Sequence, residues 1–151
     1  MNDMNEYGYN RDKEIDEALA AGDEALRCLN AAWDHLNKAR GWGIFDMFGG
    51  EMITTFMKHR NMDEAQRAMN QAKFALQNYS RELSDIREDI GSIDVQVGDL
   101  LHFADYFFDG LIIDWMVQSK IKQAREQVGM AIDKVSDMQQ RLVGMKIQVG
   151  R

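Results

Sequence analysis

Proline is absent from all 151 residues and cysteine occurs once. Each shortage excludes something. Without proline, no ring need break a helix, so long uninterrupted helices are open to this chain. A single thiol, Cys28, cannot close an internal disulfide and suits a reducing compartment. It sits between Leu26 and Leu29 with no His or acid spaced to activate it, so it reads as a half-buried, inert thiol. Long apolar runs are missing too. The nearest, Leu111 to Val117, is interrupted by Asp114 and falls far short of the roughly 20 residues that cross a bilayer. The first twelve residues are polar and lack the apolar centre of a secretory signal. The expectation is a soluble, cytoplasmic protein.

The common chemical signatures are also missing. No Glu-x-x-His pair of the di-iron bundles occurs, nor a Gly-x-Ser-x-Gly elbow. Gly49-Gly50 is followed by Glu51, the wrong charge for cradling phosphate. These absences lean against an enzyme. The net charge of −7 disfavours nucleic acid as a partner, since phosphates are repelled. That charge is unevenly spread. Residues 118–151 hold seven basic and three acidic side chains, leaving 11 basic against 22 acidic elsewhere. A basic third helix lying against acidic neighbours accounts for the split within one molecule; association between copies is the alternative.

What the chain does have is apolar periodicity. One seam runs Ile15, Leu19, Gly22, Leu26, Leu29, Trp33, Leu36. A second runs Met62, Ala65, Met69, Ala72, Leu76, Tyr79, Leu83, Ile86, Ile90. A third runs Val117, Ile121, Ala124, Val128, Ala131, Val135, Met138, Leu142, Met145. Steps of four and three average 3.5 residues, the repeat that keeps one stripe against a partner helix. Eleven methionines suit seams of changing width.

The spacing predicts three long helices, over about 13–40, 62–90 and 111 to the mid-140s, in one domain over 13–151 behind a disordered tail of residues 1–12. Gly41-Trp42-Gly43 ends the first, and a short helix is expected at about 51–59. Residues 99–109 form an aromatic turn of helix. Ile93, Val95 and Val97 alternate with polar residues, and Val95-Gln96-Val97-Gly98 echoes Ile147-Gln148-Val149-Gly150. Two short strands could pair across that echo, although 145–149 as a continuation of the third helix is the favoured reading. At 1.5 Å per residue the first two helices measure about 42 Å and the third about 54 Å. An up-down-up arrangement then leaves the third helix overhanging. The expected fold is all-α: an antiparallel bundle of three long helices with coiled-coil packing, plus one or two short capping helices.

Two candidate sites follow. His102, Asp105 and Asp109, spaced by three and four, share one helix face near Asp85, Glu88 and Asp89. Oxygen ligands with one imidazole could hold Mg²⁺, Mn²⁺ or Ca²⁺; a solvated polar face is the simpler reading. His35 and His59 fall at the opposite end. Trp42, Phe45 and Phe48 either plug the end of the bundle or form an interaction surface for a partner helix or a membrane. The plug is favoured and a membrane surface disfavoured, because Asp46 and Glu51 stand where a membrane-dipping segment carries basic residues.

Several segments carry a resemblance: Trp42-Gly43-x-x-Asp46-Met47-x-Gly49-Gly50, Lys58-His59, Asp63-Glu64-Ala65-Gln66, Arg81-Glu82-Leu83-x-Asp85 and Phe103 through Leu111. Over roughly residues 25–125 the chain resembles a family of small bacterial helical proteins without an assigned activity. The resemblance implies a bacterial, cytoplasmic helical protein and gives no residue a role. The functional expectation is a non-enzymatic protein–protein interaction or self-assembly module without a cofactor, whose partner is a second copy or another helical protein. The alternative is a divalent-metal-binding bundle, with hydrolytic chemistry around His102.

Overall fold

Glycine weakens a helix by about 1 kcal/mol, but unlike proline it leaves the hydrogen-bond ladder intact. The fold follows that difference. The computed structural model describes residues 2–45, 51–87, 94–106 and 121–149, with side chains described over 12–37, 63–86, 97–106 and 123–146. These residues form four helices: α1 (Asn2–Phe45), α2 (Glu51–Arg87), α3 (Asp94–Tyr106) and α4 (Ile121–Val149). α1 starts within the segment expected as a tail and runs through Gly41 and Gly43. Gly8 alone does not stop it, and no proline does. The short helix expected at 51–59 is continuous with the second long helix. Residues 94–97 and 145–149 are both helical, so the strand pairing is overturned over these residues; Ile93 lies outside the described residues. The periodicity of two in Val95 and Val97 is too short to outweigh a helical context.

α2 and α4 bury the seams expected of them. Ala65, Met69, Ala72, Leu76, Tyr79, Leu83 and Ile86 are all buried on α2. On α4, the whole seam from Ala124 to Met145 is buried as well. α1 differs. Its buried stripe is Ile15, Ala18, Gly22, Ala25, Leu29, Ala32, Leu36, with steps of three and four. The expected members Leu19, Leu26 and Trp33 stand beside this stripe, half-buried. α1 packs against both α2 and α4, and alanine and glycine let one helix lie close to two others. Each fully buried leucine contributes about 1.5–3 kcal/mol.

The direction of the helices also departs from expectation. His35 of α1 faces Glu64 of α2, and the Tyr79 hydroxyl reaches the same Gln139 amide that bonds Leu19 and Asp23. α1 and α2 are therefore antiparallel. Asn37 meets Arg125, Asp23 meets Gln139 and Asp16 meets Lys146, so α1 and α4 are antiparallel too. It follows that α2 and α4 run parallel, not opposed as in an up-down-up bundle. α2 ends beside the start of α1, and α4 begins beside its far end. α3 lies between α2 and α4 in sequence. α3 packs on the flanks of α2 and α4 instead of capping an end, burying Val97, Leu100 and Ala104. α4, at 29 residues, is shorter than α1 at 44 and α2 at 37. Residues 111–120 of the expected third helix, on which the inferred overhang depends, lie outside the described residues.

Candidate functional site

The face between α1 and α4 is built from a ladder of side-chain pairs. Moving seven residues down α1 from Asp23 to Asp16 moves seven up α4 from Gln139 to Lys146. Asn37 and Arg125 stand fourteen residues further along each helix, in the same register. The Arg125 guanidinium donates to Asn37 Oδ1 at 3.0 Å, Gln139 Nε2 donates to Asp23 Oδ1 at 3.1 Å, and Lys146 Nζ donates to Asp16 Oδ1 at 2.6 Å. Apolar heptads tolerate a slip of one repeat, whereas polar pairs in one register oppose it.

The Gln139 rung is the buried one. Among the described residues it is the polar side chain that lies in the core. Its Nε2 also donates to the Leu19 carbonyl at 2.8 Å, and its Oε1 accepts from the Tyr79 hydroxyl at 2.8 Å. Gly22 makes room for this: a Cβ there would run into the Gln139 amide. Burial, with the Asp23 carboxylate nearby, pushes the Tyr79 hydroxyl well above its ordinary pKa, so it remains a hydrogen-bond donor. This set locks three helices together and offers no reacting group.

Further along the face stands Trp33. Gly129 lies under its ring, where a Cβ would stand 3.1 Å from Cζ3, and the Arg125 guanidinium sits 5.3 Å from the ring centroid. One rung of the ladder is missing here. Asn30 occupies the position opposite Ile132, but its amide donates back to the Leu26 carbonyl of its own helix at 2.9 Å. The result is an open hollow of about 530 Å³ lined by Asn30, Trp33, Gly129, Met130 and Ile132, with Glu126 and Asp133 at its lip. A second hollow of about 410 Å³, beside Leu19 and Val143, continues the same face.

α4 meets part of the charge split within the molecule. Lys146 pairs with Asp16, Lys134 with Asp99 of α3 at 2.9 Å, and Arg125 covers Trp33. Lys134 also lies 5.4 Å from the Phe103 ring centroid. Two of its cations thus meet acids within the molecule, while Arg141 is exposed and Lys120, Lys122 and Arg151 lie outside the residues whose side chains are described. The Lys146 ammonium is pushed above the usual lysine range, first by its hydrogen bond to Asp16. The pair is solvent-exposed and contributes orientation more than stability.

The expected candidates fall elsewhere. His102 and Asp105 are exposed on α3, three residues apart, and Asp109 lies outside the described residues. Asp85 is exposed on α2, while Glu88 and Asp89 lie outside the described residues. Among the described residues no group of three or more His, Cys, Asp or Glu side chains gathers as a metal site. Trp42 and Phe45 belong to α1, but their side chains, like all of Phe48, lie outside the described residues. Cys28 is buried, and desolvation followed by the Glu24 carboxylate raises its pKa, which suits an inert thiol. His35 approaches Glu64 at 3.9 Å across α1 and α2. Sequence reasoning missed Gln139, Asp23 and Met130. The available signal was a pair of glycines, Gly22 and Gly129, facing neighbours from seam-bearing helices. Among the described residues no helix is long and apolar enough to cross a membrane. Comparison with protein-family models, with curated proteins and with solved structures gives no match to this chain.

Proposed function

We propose that this chain is a non-enzymatic protein–protein interaction module, a helical bundle with coiled-coil packing that associates with a second copy or with another helical protein. One observation supports this most. After the core is filled, α1 retains a second apolar stripe at seven-residue spacing, Leu19, Leu26 and Trp33, half-buried along the α1/α4 face. Met130 and Val143 of α4 stand beside it, 47% and 46% exposed. An apolar stripe at coiled-coil spacing left on a surface fits one more helix. The resemblance to bacterial helical proteins agrees with this reading and rests on the quoted residues alone.

The test is absolute mass by light scattering after size exclusion, over a range of concentrations. Self-association predicts a mass rising above 17.4 kDa, and a Met130→Glu/Val143→Glu variant that stays monomeric with its helicity intact. An associating protein whose mass ignores that variant would remove the α1/α4 face from the reading. A monomer throughout would leave only another helical protein as partner. Deleting residues 139–151 is a poorer test, because it strips Gln139, Leu142 and Met145 from the core.

A further inference from the structure

The hollow at the missing rung has an acidic lip. Glu126 and Asp133 line it and Asp137 stands one turn further along α4; all three are exposed and pair with no cation among the described residues. Arg125, next to Glu126, is committed to Trp33 and Asn37, and Lys134, next to Asp133, to Asp99 and Phe103, while exposed Arg141 stands four residues beyond Asp137. The hollow is open and mostly apolar, with the Trp33 ring packed over Gly129 at its edge.

The outward row of α2 has the opposite character. Arg67, Gln71, Phe74, Asn78 and Arg81 follow one another at steps of four and three, and all are exposed. Phe74 is 65% exposed, the most of any large apolar side chain described. Arg67 and Arg81 stand one heptad before and after it and pair with no anion among the described residues, with exposed Asp63 and Asp85 one turn further out. One molecule therefore carries an apolar knob between cations on α2 and an apolar hollow between anions on α4.

Resting on the interaction reading above, we propose that the α1/α4 face receives α2 of a second copy, with Phe74 in the hollow beside Trp33 and Arg67 and Arg81 reaching the α4 carboxylates. Charge decides the occupant. A two-fold contact of the α1/α4 face with itself sets carboxylates against carboxylates, and one of α2 with itself sets arginines against arginines. The mixed contact brings unlike charges together around an apolar centre. The lengths are compatible: Arg67 to Arg81 spans about 21 Å of helix and Glu126 to Asp137 about 16 Å, a difference that long arginine side chains angled inward can close. A volume of about 530 Å³ is ample for a phenyl ring. Because knob and hollow are different surfaces, each pairing leaves one of each free, and assembly continues past a dimer unless a ring closes.

Two variants and their mixture test this. Phe74→Glu destroys the knob, and Glu126→Arg/Asp133→Arg reverses the lip of the hollow. All three positions are exposed, and circular dichroism with thermal melting checks that each variant folds; Phe74→Ala replaces any Phe74→Glu protein that does not. Light scattering should show wild-type mass climbing with concentration without a plateau at twice 17.4 kDa, and each variant alone at the monomer mass. The equimolar mixture should form a one-to-one dimer and nothing larger, since it contains one intact knob and one intact hollow. Adding Asp137→Arg together with Arg67→Glu/Arg81→Glu to the lip-reversed chain should restore growth. A wild type that associates while both variants do likewise would overturn this pairing and leave self-association standing at another surface. Variants that dissociate but fail to complement would overturn it in favour of a symmetric contact. A wild type monomeric at every concentration would end both this pairing and self-association.

Discussion

The two long interfaces of α1 are built differently. Toward α2 the contact is apolar, with Met69, Leu76, Tyr79 and Leu83 meeting the alanine-rich stripe, and the polar cross-pair described is His35 with Glu64 at 3.9 Å. Toward α4 the contact adds polar rungs in one register, the buried Gln139 among them. Apolar burial supplies most of the stability of a helical pair but is nearly indifferent to a slip of one heptad. Buried polar groups add little net energy when satisfied and cost much when displaced. The α1/α2 interface is therefore where stability concentrates, and the α1/α4 interface is where register is enforced.

The largest effect should come from the apolar side. Leu29→Ala empties a fully buried position and should lower unfolding free energy by about 3 kcal/mol in urea titration, within the usual 2–5 for such truncations. A loss under about 1 kcal/mol would mean that the α1 stripe is less tightly packed than its burial indicates. Next comes Gly22→Ala. Helix propensity alone favours it by about 1 kcal/mol, yet the new methyl displaces the Gln139 amide from Tyr79, Leu19 and Asp23. The net expectation is about 2 kcal/mol of destabilisation, because overpacking and unpaired buried groups each cost about 1–3. A more stable Gly22→Ala protein would remove Gln139 as the register lock.

Tyr79→Phe should cost about 1 kcal/mol by leaving Gln139 Oε1 without its donor. It carries a pH signature as well. The Tyr79 pKa is raised in the fold, so the unfolded chain releases this proton first. Its contribution is complete below the ordinary tyrosine value of about 10 and is lost as pH rises above it. Wild-type stability should fall more steeply above that point than that of Tyr79→Phe, in paired melts at alkaline pH; parallel curves would contradict the burial of the hydroxyl. The smallest effect is expected from Lys146→Ala. Its pair with Asp16 is exposed, so at moderate salt the melting temperature should not change measurably.

Legibility of the fold in the sequence divides along similar lines. The seams of α2 and α4 could be read residue by residue, because their members are mostly large and apolar and their contrast with polar neighbours is strong. The seam of α1 was read one position off at Leu19, Leu26 and Trp33. The residues that pack, Ala18, Ala25 and Ala32, are weakly hydrophobic and gain importance only when two helices crowd the same face. Gly41 and Gly43 looked like a helix end, yet glycine lowers helix stability without forbidding the helix. Of the candidate site, Trp33 was visible as an apolar seam residue, while Gln139 looked like one polar residue among many. Its burial depends on a gap at Gly22, over a hundred residues away in sequence.

All-helical character followed from the chain alone, because helical hydrogen bonds join residues four apart and the apolar repeat is written at the same range. The lack of proline acts at that range too. Which face of α1 is core, the parallel course of α2 and α4, and the meeting of Gly22, Tyr79 and Gln139 were decided only in the tertiary structure. Those outcomes depend on how rigid helices share volume, and a heptad repeat satisfies several such arrangements equally well. Close packing and the need to pair every buried polar group select one of them.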